Sequence, residues 1–116
     1  MVPIYQTNGD WVAVYNKGHL FSVEGEWLGF VKGREVFDPA GMYLGFLSDD
    51  QRLLRKRAVP NDLPHQPPPP RPPRPQIPVS MPLAPLMREL PFTIIDMFEM
   101  YPEKLLMISE LRPDMD

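Results

Sequence analysis

A mainly β fold is predicted, with repeated antiparallel β-hairpins of 16-residue period followed by a proline-rich linker and short C-terminal helices. Three observations predict it. A glycine–aromatic–aliphatic unit recurs three times in strict phase, 13 of the 17 prolines crowd between Pro60 and Pro91, and the chain turns apolar and acidic from Phe92. Together they divide the 116 residues into a hairpin-repeat domain (1–57), a proline-rich linker (58–91) and an amphipathic, acidic C-terminal helical segment (92–116).

The repeat units are Gly9-Asp10-Trp11-Val12-Ala13-Val14-Tyr15, Gly25-Glu26-Trp27-Leu28-Gly29-Phe30-Val31 and Gly41-Met42-Tyr43-Leu44-Gly45-Phe46-Leu47. A fixed period of this kind marks one supersecondary unit repeated along the chain. Each unit reads as a strand, because side chains alternate faces along an extended chain. Unbroken alternation puts Val12 with Val14, Leu28 with Phe30 and Leu44 with Phe46 on a buried face. It leaves Trp11 with Ala13, Trp27 with Gly29 and Tyr43 with Gly45 opposite, where the small residue admits a neighbouring chain. The leading glycines suit turns that need positive φ, and Asn8-Gly9 is a strong hairpin signal. Return strands are expected over 18–23, 33–38 and 51–55, with Asp38-Pro39-Ala40-Gly41 and Ser48-Asp49-Asp50 as turns.

Those units, with Tyr5 before them, Gly18-His19-Leu20-Phe21 between the first two and Val36-Phe37 before the third, resemble the bacterial four-fold β-flower domain. The resemblance covers about residues 4–57. It implies a fold and carries no established activity or site residues. One departure stands out: a fourth unit in phase would begin at Arg57 rather than glycine, with Pro60 inside its strand. The fourth repeat is therefore expected to be missing or degraded. A module of about 57 residues with no cysteine is marginal alone, and open sheet ends invite pairing, so a homo-oligomer is expected. The alternative is a monomeric meander sheet covered by the tail.

Pro67 to Pro70 followed by Arg71-Pro72-Pro73-Arg74-Pro75 favours polyproline II, at about 3.1 Å per residue. The linker is expected to act as a stiff spacer holding the two ends tens of ångströms apart. Pro69, Pro72 and Arg74 also match a polyproline ligand pattern for aromatic-lined grooves. In the tail, two short helices are expected at about 93–100 and 102–111, with Thr93 capping the first and Pro102 opening the second. Met97, Phe98, Tyr101, Leu105 and Ile108 form the apolar face, which either docks in a partner's groove or packs on its own β module.

Composition narrows the chemistry. The net charge is −3, with residues 1–57 neutral and the tail at −4, which disfavours a general nucleic-acid binder. The run Arg52, Arg55, Lys56, Arg57 offers contacts to phosphates, with Trp11 or Trp27 as stacking platforms, or to the acidic tail. Without cysteine, and with only His19 and His65, thiol catalysis and a metal site are not expected. No phosphate loop or nucleophile elbow is present, and Asp49 and Asp50 read as a solvated turn. No cofactor is expected. No stretch is long and apolar enough to span a membrane as a helix, and no secretory leader is legible, so a cytoplasmic setting is expected. The sequence thus points to a non-enzymatic structural or interaction protein.

Overall fold

Every described strand pairs with its neighbour in sequence. The computed structural model describes residues 1–58, 65–102 and 105. Its strands are β1 (Val2–Tyr5), β2 (Trp11–Asn16), β3 (His19–Ser22), β4 (Trp27–Lys32), β5 (Glu35–Phe37), β6 (Tyr43–Leu47), β7 (Leu53–Lys56) and β8 (Ile94–Asp96), followed by helix α1 (Met97–Met100). They form one antiparallel sheet in the order β1 to β8, curled into a half-barrel.

The repeat fixes two kinds of turn. Between β2 and β3 the two central residues, Lys17 and Gly18, both hold positive φ (52° and 85°), the mirror-image geometry that matches strand twist. Within each unit the turn is wider. The amides of Gly9, Gly25 and Gly41 donate to the carbonyls of Gln6, Ser22 and Asp38, again 16 residues apart. Those three glycines hold φ of 94°, 89° and 93°, where a side chain is strained. Ser22 Oγ and Asp38 Oδ1 tie two amides each inside their turns.

A β-bulge sits in the same place in all three units. Ile4 pairs with Ala13 but Tyr5 with Trp11, Leu20 with Gly29 but Phe21 with Trp27, and Val36 with Gly45 but Phe37 with Tyr43. Val12, Leu28 and Leu44 are the extra residues. An extra residue resets the alternation, and this corrects the expected sorting of faces. Leu28 points into the inner core while Phe30, two residues on, lies in the outer cluster; Trp11 packs outside and Ala13 inside. The inner core takes one side chain from each of the first seven strands: Ile4, Ala13, Leu20, Leu28, Val36, Leu44 and Leu53. The outer cluster is Val14, Phe21, Trp27, Phe30 and Phe37, flanked by Trp11 and Tyr43. Phe30 stacks on Phe37 at 5.4 Å, and Phe37 meets Tyr43 edge-on at 5.9 Å.

The fourth unit is present in the degraded form that the sequence allows: its second strand is short, set off in register and followed at once by helix. β7 and β8 are its two strands, with Leu54 opposite Asp96, Arg55 opposite Ile95 and Lys56 opposite Ile94. The proline-rich segment is inserted at its turn, and Arg57 N closes the base of that insertion on Thr93 O at 2.7 Å. Met97 then fills the fourth place in the inner core, fully buried beside Leu53, and Leu105 joins it. Helix formation accordingly starts later than the spacing predicts. Ile94 and Ile95 are β-branched and meet an unpaired strand edge, so tertiary pairing overrides the helical periodicity. Asp96, not Thr93, is the N-cap, accepting from the amides of Phe98 and Glu99. Of the expected second helix only Pro102 and Leu105 are described, both helical; the rest, Ile108 included, lies outside the described residues.

Candidate interaction surface

The proline-rich segment does not hold the two ends apart, which corrects the spacer expectation. Its described part lies along the outer face of the sheet as a strap. Polyproline II has three residues per turn, so one side of it shows every third residue. Gln66, Pro69, Pro72 and Pro75 are half-buried while the residues between them are exposed, and the same period continues at Met81, Ala84, Met87 and Leu90. Ile77 and Met81 pack against the outer aromatic cluster.

Polar contacts fix the strap at intervals. Gln66 N donates to Gly41 O at 3.0 Å, and His65 bridges Met42. The Arg74 guanidinium donates to the Glu24 carbonyl. Tyr5 Oη donates to Pro82 O at 2.5 Å. Beside Pro72 to Pro75, the strap and the residues Asn16, Lys17, His19 and Phe21 border a cleft of about 390 Å³. Burial lowers the His19 pKa below 6.5 and favours its neutral ring.

The strap's far end meets a buried polar knot where the sheet's two ends come together. Arg52 is 1% exposed. Its guanidinium donates to both Asp50 oxygens (3.1 and 2.5 Å), to Thr7 Oγ1 (3.1 Å) and to Arg88 O (2.8 Å). Thr7 donates through its amide and hydroxyl to Asp96 Oδ2, at 2.7 and 2.6 Å. One group of side chains thus joins the β1–β2 turn, the β6–β7 turn, the strap and the α1 cap. Burial alone raises the Asp50 pKa, but hydrogen bonds from Arg52, Ser48 and the Arg88 amide outweigh it and bring it down to about 2. Asp50 is therefore a structural anion, and Asp49 alone of the pair is solvated, bridging Arg34 at 2.6 Å.

The residues singled out by sequence divide accordingly. Arg52 is withdrawn from the basic run by burial. Arg57 stacks on the Phe92 ring at 4.5 Å and donates to Phe92 O at 2.8 Å. Arg55 is half-buried and Lys56 exposed. Pro69 and Pro72 face the sheet, and Arg74 is engaged at Glu24. Met97 and Leu105 lie in the inner core, Phe98 packs against it, and Tyr101 is exposed. Sequence reading missed the strap's solvent side: Val79, Leu83, Leu86 and Phe92 are 101, 96, 99 and 82% exposed. A period-three count finds two apolar rows in the linker, Met81-Ala84-Met87-Leu90 and Leu83-Leu86-Phe92, and no local signal tells which of them meets the sheet. Among the described residues, no group of three or more His, Cys, Asp or Glu is placed to hold a metal ion, and no helix is long and apolar enough to cross a membrane.

These features define a class: a small antiparallel β-repeat module carrying an insertion in its last hairpin. A family model described as 4-fold beta flower protein matches residues 2–90, and the chain belongs to that family. The match takes in the strap as well as seven strands. No curated protein and no solved structure matches the chain.

Proposed function

We propose that the protein is a non-enzymatic, self-associating interaction module, in which the β-flower core mounts the strap and presents its solvent side to a second copy. One observation carries this reading: three large apolar side chains, Val79, Leu83 and Leu86, stand almost wholly in water along one segment, and Phe92, with Arg57 on one face of its ring, is exposed near them in sequence. Several large apolar groups exposed close together in one segment are a feature of interaction surfaces. The non-enzymatic part is supported by the uses of the engaged ionisable groups. Asp50, Arg52 and Asp96 are all consumed in holding the sheet ends, the strap and the cap together. The sheet edges offer less. Proline in β1 and the three-residue length of β8 both limit edge pairing. In the tail, Met100 and Tyr101 are also about half exposed.

Sedimentation velocity over a range of concentrations tests the proposal. The wild-type chain is expected to self-associate, and Leu83→Asp with Leu86→Asp to stay monomeric with an unchanged β-sheet circular-dichroism spectrum. A wild-type chain that is monomeric throughout overturns it. Nucleic-acid binding has less support, since Arg52 is buried and Arg57 is stacked on Phe92.

A further inference from the structure

We propose that the outer face around His19, Phe21 and Gly25 is a recognition groove for arginine-bearing polyproline segments, occupied here in cis by residues 66–75. This concerns the strap's inward side and stands independently of self-association through its solvent side.

The seat fits the geometry of this kind of ligand. A polyproline II helix repeats every three residues, and Gln66, Pro69, Pro72 and Pro75 are the half-buried ones. His19 and Phe21 face Pro72 to Pro75 across the cleft they line together, and Ile77 and Met81, just beyond, pack on the cluster that contains Phe21. Polar contact comes at the two ends, eight residues apart along the strap. At one end Gln66 N donates to Gly41 O; at the other the Arg74 guanidinium donates to Glu24 O and lies 4.0 Å from the Glu26 carboxylate.

Both ends rest on repeat glycines, whose positive φ already favours glycine and whose bare Cα leaves room for the strap. A Cβ on Gly25 would lie 2.8 Å from Arg74 Nε, and one on Gly41 would strike the Gln66 carbonyl. Gly9, the equivalent residue of the first unit, meets nothing. The strap thus sits on two turns of the flower, one period apart, and at Gly41 its own backbone fills the space a side chain would take. The ligand is stiff before it binds, so little ordering entropy opposes its capture. Tethering gives the strap a high effective concentration, which a free segment overcomes only when the cis contacts are weakened.

The test uses the full chain carrying Pro69→Gly, Pro72→Gly and Arg74→Ser, with a synthetic peptide of residues 66–76 as probe. Calorimetry is expected to show saturable binding, with amide shifts at His19, Phe21, Glu24 and Gly25. A peptide carrying Arg74→Glu is expected to bind about tenfold more weakly, the effect of losing one charge-assisted hydrogen bond. Wild-type chain, its seat filled, is expected to bind the unmodified peptide at least about tenfold more weakly than the variant. Should the triple variant not fold, the single Arg74→Glu chain, altered at an exposed residue, takes its place. A folded variant that leaves the peptide unbound overturns the proposal. So do shifts confined to other faces, or equal binding of the two peptides.

Discussion

Gly29 and Gly45 show most directly how one residue type is dictated by packing. A Cβ on Gly29 would fall well inside van der Waals contact of the Phe37 carbonyl oxygen, and one on Gly45 would do the same at Leu54 O. The obstacle is backbone, which cannot swing aside. Gly29→Ala is therefore expected to cost about 3 kcal/mol, the upper end for overpacking. Gly9→Ala is expected to cost only about 1 kcal/mol, from its positive φ, because open space surrounds it. Urea unfolding of the two variants checks the difference. Asp50 is the second residue-scale case. Its carboxyl titrates near 2 in the folded chain against an ordinary 3.8, so its charged form stabilises the fold. That contribution, on the order of 2 kcal/mol, is complete above pH 3.8 and is lost as pH falls through about 2. Asp50→Asn is expected to remove this acid sensitivity, read as the midpoint of unfolding against pH.

At the scale of elements, the fourth hairpin carries the clearest lesson. The apolar pairs Ile4-Tyr5, Leu20-Phe21 and Val36-Phe37 recur every 16 residues, and Leu53-Leu54 continues them one residue late. The delay comes from the turn before β7: the paired Leu47 and Leu53 enclose five residues, where Tyr15 with Leu20 and Val31 with Val36 enclose four. The first strand of the fourth unit was thus legible; the second was not, because it lies beyond the insertion and carries no leading glycine or aromatic. Met97 completes this unit as Leu28 and Leu44 complete theirs. Met97→Ala is expected to cost about 2–5 kcal/mol, as at a buried core site. Met100→Ala, half exposed, is expected to cost under about 0.5 kcal/mol. Denaturant midpoints decide whether the tail belongs to the core. The bulges were hidden for a different reason. Their residues, Val12, Leu28 and Leu44, look like any aliphatic strand position, and only the pairing register shows that one residue there has no partner.

On the scale of the whole molecule, the strap decides the shape. The radius of gyration is 13.6 Å, close to the roughly 13 Å of a compact 100-residue domain. Small-angle scattering of a monomeric sample is expected to return a value near 14 Å; a linker extended as a spacer would give a clearly larger one. The period of 16, the turn glycines, the β class and the polyproline character of the linker all follow from the sequence by itself, because backbone sterics and side-chain alternation act locally. The split fourth hairpin, the direction in which the strap folds, the burial of Arg52 and the passage of Met97 into the core were decided only by tertiary structure. Each depends on groups far apart in sequence meeting at one place: an open strand edge at β7, an uncovered aromatic face, and a guanidinium that finds Asp50, Thr7 and Arg88 together. No local pattern encodes such meetings, since what selects them is the burial and hydrogen bonding available once the other elements have folded.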